Sequence, residues 1–234
     1  MNNERLQIAI PKGELQRDVE KFMGFSGLEF TPFDRSWKVP VANMPIDFVI
    51  VRASDIPSIV KSERSNTAVG ITGSDILWEA GYGQKYGEEI PIYQAIPDAR
   101  QSSLYIGATE EFIQGLNVDV PDPSDLEGQM IATKHPSITR DYFVGKGLNS
   151  VEIITVNGND EAMQYVYEFC KGILGIISSG RTIAANGIRT LDVFYDVTVR
   201  MIEEQGKMTK LATDILDDFR EKIVVALQRE RMVS

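Results

Sequence analysis

With 234 residues the chain can bury one large core or two modest ones, and its ordinary apolar share with scattered Gly and Pro predicts a folded protein. A formal net charge of −10 excludes nucleic acid and anionic membrane surfaces as main partners, because the summed field repels both, so any phosphate site has to be local. Cys170 is the single cysteine and His135 the single histidine, which excludes an intrachain disulfide, a thiolate metal cluster and a multi-histidine zinc site.

Short β-rich runs alternate with helical patterns, which predicts an α/β fold. Residues 6–10 form the first predicted strand, and Pro11-Lys-Gly puts Lys12 and Gly13 at its carboxyl end, the edge where open α/β sheets bind ligands. A helix over 15–23 follows, then a strand over 48–51 that runs into Arg52-Ala-Ser-Asp-Ile-Pro and a helix over 56–62. The strand over 68–71 leads through Gly70-Ile-Thr-Gly-Ser-Asp into a helix over 74–79, with Asp75 in its first turn. Each of these residues also has a simpler reading: Lys12 as a solvated turn residue, Asp55 as a helix cap, Asp75 as an acid favoured by the helix dipole.

The Pro-containing stretches over 91–99 and 120–127 read as loops or hinges, and the first separates two α/β blocks of similar size. We therefore expect one lobe from residues 1–92 plus 190–234 and a second from 93–189. In the second block, strands are expected over 104–107, 130–132, 151–156 and 173–177, with helices over 140–146 and 161–169. Ala132-Thr-Lys-His-Pro-Ser-Ile-Thr-Arg offers Lys134 and Arg140 as anion contacts, with His135 a loop residue rather than a catalyst. Asn157-Gly-Asn-Asp-Glu places Glu161 in a first helical turn, where an acid binds hydroxyls, coordinates Mg²⁺ through water, or caps.

The strand over 173–177 ends in Ser178-Ser-Gly-Arg-Thr, a small-residue loop before a helix start. Backbone N–H groups of Gly180, Arg181 and Thr182 can face an anion there, Ser178, Ser179 and Thr182 add hydroxyls, and Arg181 adds countercharge. The alternative is an ordinary turn and N-cap. From Thr209 onward Leu211, Ile215, Leu216, Phe219, Ile223, Val224 and Leu227 recur at helical spacing, predicting an amphipathic helix that packs on its own body or, less simply, docks another subunit.

No run approaches the roughly 20 apolar residues of a membrane span, and the opening MNNERLQIAIPKG has too short an apolar run for a signal peptide, so a cytoplasmic protein is expected.

Taken in order, Ala9-Ile-Pro-Lys-Gly, Arg52-Ala-Ser-Asp-Ile-Pro, Gly70-Ile-Thr-Gly-Ser-Asp with Glu79, Ala132-Thr-Lys-His-Pro with Arg140 and Tyr142-Phe143, Gly158 with Glu161, and Ser179-Gly-Arg-Thr-Ile-Ala-Ala-Asn-Gly resemble the ATP phosphoribosyltransferase family. The resemblance spans about residues 6–202 and implies a two-lobed architecture like type II periplasmic binding proteins, with substrates in a cleft between lobes. It implies transfer of phosphoribosyl from phosphoribosyl pyrophosphate to N1 of ATP with Mg²⁺, the first step of histidine biosynthesis. Lys12, Arg52 and Glu161 would be the catalytic residues; Gly13, Asp75 and Lys134 would face the nucleotide. Ser178, Ser179, Gly180, Arg181 and Thr182 would hold phosphoribosyl pyrophosphate, and no residue is assigned as a direct metal ligand. The length is that of the short form, which implies a homodimer working with a regulatory subunit similar to histidyl-tRNA synthetase.

The chain departs from the family pattern at several places. Lys171 and Gly175 stand where the family has acids, Ser179 where it has Thr, Ser102-Ser103 where it has Cys-Arg, Glu14 where it has Arg, and Glu203 where it has Asn; Arg200 remains. The alternative is therefore a divergent, non-catalytic homologue acting as a nucleotide-binding or small-molecule-binding regulatory subunit.

Overall fold

The structure is a computed structural model that describes residues 5–33, 36–95, 101–116, 118–157, 162–167, 169–178, 183 and 185–231. It divides into two compact units, the first of Met1–Leu77, Gln84–Ala99 and Thr198–Ser234, the second of Trp78–Gly83 and Arg100–Val197. Residues 78–83 and 190–197, expected in the first lobe, fall in the second unit, and residues 93–95, expected in the second lobe, fall in the first.

The first unit holds strands β1 (Leu6–Lys12), β2 (Lys38–Pro40), β3 (Ile46–Arg52), β4 (Val69–Gly73), β5 (Glu88–Ile90) and β11 (Val199–Glu203). Its sheet runs β2-β3-β1-β4-β11-β5, with β1 parallel to β3 and β4, and β2, β11 and β5 antiparallel to their neighbours. Strand β1 is central, and its Leu6, Ile8, Ala9 and Ile10 are buried, the near-continuous apolar run of a strand covered on both faces. Helix α1 (Glu14–Phe25) turns out of β1 at Gly13, whose φ of 114° is the positive region that glycine enters without steric cost, and buries Val19, Phe22 and Met23. Helix α2 (Ile56–Lys61) lies so close to β4 that a Cβ on Gly70 would stand 2.4 Å from Ile56 Cγ2. Glycine in that motif is thus explained by packing. Helices α3 (Ser74–Glu79) and α4 (Ile92–Ala95) follow β4 and β5.

The second unit holds β6 (Ser102–Thr109), β7 (Met130–Thr133), β8 (Glu152–Thr155), β9 (Cys170–Ile177) and β10 (Ile188–Val197) in the order β10-β6-β9-β7-β8. Strands β7, β8 and β9 are parallel, and β6 and β10 antiparallel. Helices α5 (Glu110–Gly115), α6 (Pro136–Gly145) and α7 (Met163–Val166) accompany them. Helix α6 begins four residues earlier than its apolar pattern suggests, because Pro136 at the first helical position is pre-set in φ and has no N–H to leave unpaired. In the expected helix over 161–169, the described helical turn is Met163–Val166, and Tyr167 is already extended.

Helix α8 (Lys210–Arg231) packs Ile215, Leu216, Phe219 and Ile223 into the core of its own unit, while Leu211 and Val224 stay exposed. Each such buried side chain contributes about 1.5–3 kcal/mol relative to exposure, so this helix is a structural part of the unit. Arg220 ties it down: Nε donates to Glu88 on β5 at 2.9 Å and Nη2 to Glu203 on β11 at 2.5 Å. Glu203 is therefore a structural partner, and Arg200 likewise clamps the edge by pairing with Glu89 at 3.0 Å.

Candidate functional site

In the first unit the carboxyl ends of β1, β3 and β4 gather Lys12, Arg52 and the Gly73–Ser74 turn. Lys12 and Arg52 are register partners on adjacent parallel strands, which puts their Cα atoms about 4.8 Å apart. Gly13 occupies the N-cap position of α1 and supplies no side-chain cap, so the positive end of that helix adds to the two cations. A chain of strongly negative net charge thus has a local cationic edge. Lys12 Nζ lies 4.4 Å from the ring centroid of Trp37, itself 62% exposed. Trp37 O accepts from Ile50 N at 2.9 Å, which holds the Trp37 backbone beside β3. The signal for Trp37 in the sequence is a large aromatic in the polar stretch just before β2.

Asp75 is buried at 4% exposure in the first turn of α3. Its charge and that of Asp18 add to burial in pushing the Tyr93 phenol up to about 12. The preceding turn is fixed by Ser74, whose N donates to Thr198 O at 2.8 Å and whose Oγ accepts from Thr198 N at 3.0 Å. Asp55 stands at the N-cap position of α2 without a side-chain cap bond, so the capping role considered for it is not made.

In the second unit Lys134 is exposed on the turn between β7 and α6. His135, at the N-cap position of α6, is 5% exposed; its N donates to Thr133 Oγ1 at 2.9 Å and its O accepts from Thr139 Oγ1 at 2.7 Å. Arg140 is exposed one turn into the helix. Glu79 reaches the same helix end: its carboxylate accepts from Ser137 N at 3.0 Å and from Ile138 N at 3.1 Å. Trp78 beside it donates Nε1 to Asp141 at 2.9 Å and meets Tyr195 edge-on.

Strand β9 leads to the expected phosphate loop, and Ser178 is exposed just past its end. Ser179, Gly180, Arg181, Thr182 and Glu161 lie outside the described residues. Of the departures from the family pattern, Lys171 sits at the start of β9, about 23 Å of extended chain before Ser178, so that replacement is remote from the loop. Gly175 is buried three residues before Ser178. Ser103 donates to Asp196 at 2.7 Å. Cys170 is 1% exposed, and burial pushes its thiol up; it is a core residue.

Among the described residues no three His, Cys, Asp or Glu side chains come together to hold a metal, and no helix is long and apolar enough to cross a membrane. A cavity of about 620 Å³ lined by Phe25, Met44, Asp218, Glu221 and Lys222 lies in the first unit at the end of α1. Because α1 runs back from the carboxyl end of β1, that cavity is at the opposite sheet edge from Lys12 and Arg52.

A family model described as HisG, ATP phosphoribosyltransferase, matches residues 52–225. The ATP phosphoribosyltransferase of Methanopyrus kandleri is 32% identical over 199 residues, covering 84% of this chain, which spans 64% of that relative's length. That of Listeria innocua is 27% identical over 90% of this chain and 91% of its own. Among solved structures, the ATP phosphoribosyl transferase (HisG:HisZ) complex from Thermotoga maritima matches 96% of this chain and 99% of its own with TM-score 0.70 at 23% identity. A Candida albicans protein with the generic periplasmic binding protein fold matches 98% of this chain and 72% of its own with TM-score 0.55 at 11% identity. The fold is thus the α/β architecture of type II periplasmic binding proteins, and the chain belongs to the ATP phosphoribosyltransferase family, whose members are glycosyltransferase enzymes.

Proposed function

We propose that the chain transfers the phosphoribosyl group of phosphoribosyl pyrophosphate to N1 of ATP, releasing pyrophosphate, as the first step of histidine biosynthesis in the cytoplasm. The observation that carries this reading is the family match over residues 52–225, joined to the cationic strand ends at Lys12 and Arg52. The bond from adenine N1 to the anomeric carbon forms as the bond from that carbon to the pyrophosphate oxygen breaks, its electron pair leaving with pyrophosphate. Nucleophile and leaving group both belong to the substrates, so the protein's work is positioning and charge stabilisation. Lys12 and Arg52 would stabilise the departing charge, Gly13, Asp75 and Lys134 would face the nucleotide, and Ser178 with Ser179, Gly180, Arg181 and Thr182 would hold the 5-phosphate. Glu161 would hold the ribose hydroxyls.

The described residues do not form a protein cage for a metal. Mg²⁺ that enters on pyrophosphate oxygens and keeps its waters needs no such cage, so it belongs to the substrate in this reading. The working assembly would be a homodimer with a regulatory subunit similar to histidyl-tRNA synthetase; the Thermotoga complex of HisG with HisZ supports such a partner. The non-catalytic alternative is not favoured, since the relatives matched carry the transferase name. Following pyrophosphate release from ATP and phosphoribosyl pyrophosphate tests the reading: release that needs both substrates supports it, and none with or without a regulatory subunit refutes it.

A further inference from the structure

The amino end of α6 is filled from within the protein. A ten-residue helix leaves its first amides without intrahelical partners, and His135 at the N-cap position makes no side-chain cap bond. Pro136 has no amide to offer. The next two amides, Ser137 N and Ile138 N, both donate to the Glu79 carboxylate, and Thr139 N returns to His135 O at 2.9 Å. With Thr133 holding His135 N and Thr139 Oγ1 holding His135 O, the backbone on both sides of Lys134 is fixed by internal bonds.

Glu79 stands at the end of α3, where a carboxylate is disfavoured by its own helix and favoured by the amino end of another. Trp78 Nε1 on Asp141 and its edge-on contacts with Phe194 and Tyr195 anchor the same segment along α6. The turn therefore presents a side-chain cation, while the helix end that would otherwise attract phosphate already holds an anion.

We propose that Glu79 is a positioning residue that fixes the first amides of α6, directly after the 133–136 turn, and so aims Lys134, and that it closes the α6 amino end to substrate phosphate. This rests on the reading of Lys134 as a nucleotide contact. Glu79 touches no substrate; it selects which phosphates this strand end accepts by leaving Lys134 as the only cation on the turn.

The test is titration of ATP into the full chain and into Glu79→Ala, Glu79→Gln and Lys134→Ala, each checked for native circular dichroism, with and without added acetate. Glu79→Ala is expected to weaken ATP binding about tenfold, and acetate to restore most of it by refilling the helix end. Glu79→Gln keeps one acceptor and should fall between, with little response to acetate. Inorganic phosphate should bind Glu79→Ala more tightly than wild type. Lys134→Ala should weaken ATP without any acetate effect. If Lys134→Ala weakens ATP while folded Glu79→Ala binds it as wild type does, or loses affinity that acetate leaves unchanged, the positioning role is overturned and the nucleotide reading stands. If Lys134→Ala is silent, the nucleotide reading falls, and the route through Lys134 falls with it.

Discussion

Tyr105 and Gly175 stand opposite each other in the antiparallel register of β6 and β9, both buried, with Tyr105 fully so. Tyr105 belongs to an apolar cluster with Ile173, Ile183 and Ile188. Gly175 is not among the glycines with positive φ, so a side chain is sterically admissible to its backbone. Gly175→Asp is expected to destabilise the protein by about 2–4 kcal/mol, the cost of burying a carboxylate. It should nonetheless tighten phosphoribosyl pyrophosphate by about tenfold, since a charged acceptor for ribose hydroxyls is restored, while leaving inorganic phosphate unchanged. Paired titrations check this; no gain for the ribosyl ligand in folded variant protein would point to Glu161 as the acid that holds the ribose.

Lys12 over Trp37 gives the cationic edge an optical reporter. The chain has two tryptophans, so a Trp78→Phe background leaves Trp37 emission alone. Pyrophosphate should draw the Lys12 ammonium off the ring, because a charge-assisted bond to phosphate exceeds an exposed cation–π contact of about 0.5–1 kcal/mol. The emission change on adding pyrophosphate should vanish in Lys12→Ala. An undiminished change in that variant would remove Lys12 from the anion site.

Asp47 tests the first unit's stability against pH. Burial alone would raise its carboxyl, but hydrogen bonds and charge from Lys38 at 2.8 Å and Arg5 at 2.7 Å outweigh burial and hold it below the usual value of 3.8. A depressed folded value means stability that is present above 3.8 and lost as pH falls through the lower folded value. Asp47→Asn is therefore expected to cost about 1–2 kcal/mol at pH 7, discounted because Arg5 and Lys38 are partly exposed. The gap to wild type should close as pH drops below 3.8. Urea unfolding across pH measures it, and a gap that stays constant down to acid denaturation would contradict the pairing.

The sequence reading reached the central strands because their burial is written in unbroken apolar runs such as Ile8-Ala-Ile and Ile173-Leu. The unread strands are β2, β5 and β10, which are short or lie at a sheet edge, and β11, a five-residue strand between β4 and β5. β10 lies at a sheet edge, alternates poorly and has two register shifts, between Thr190 and Asp192 and between Val193 and Tyr195, so no period of two survives. At the candidate site, the place of Lys12 and Arg52 just past apolar runs is what makes them legible as strand-end cations. The partners that fix geometry are not legible: Trp37 meets Lys12, and Glu79 meets Ser137, across 25 and 58 residues of chain, and no local pattern records such pairings. Glu203, a departure from the family pattern in sequence, has its partner Arg220 on α8, 17 residues along the chain.

The central claim is phosphoribosyl transfer, and the most direct measurement is mass analysis of the nucleotide formed when the chain is mixed with ATP, phosphoribosyl pyrophosphate and Mg²⁺, alone and with a synthetase-like regulatory subunit. The account predicts ATP carrying one added phosphoribosyl group on N1 and an equal amount of pyrophosphate, slowly from the chain alone, faster with the subunit, and not from Lys12→Ala with Arg52→Ala. Unmodified ATP in every mixture, from protein that binds both substrates, would contradict it.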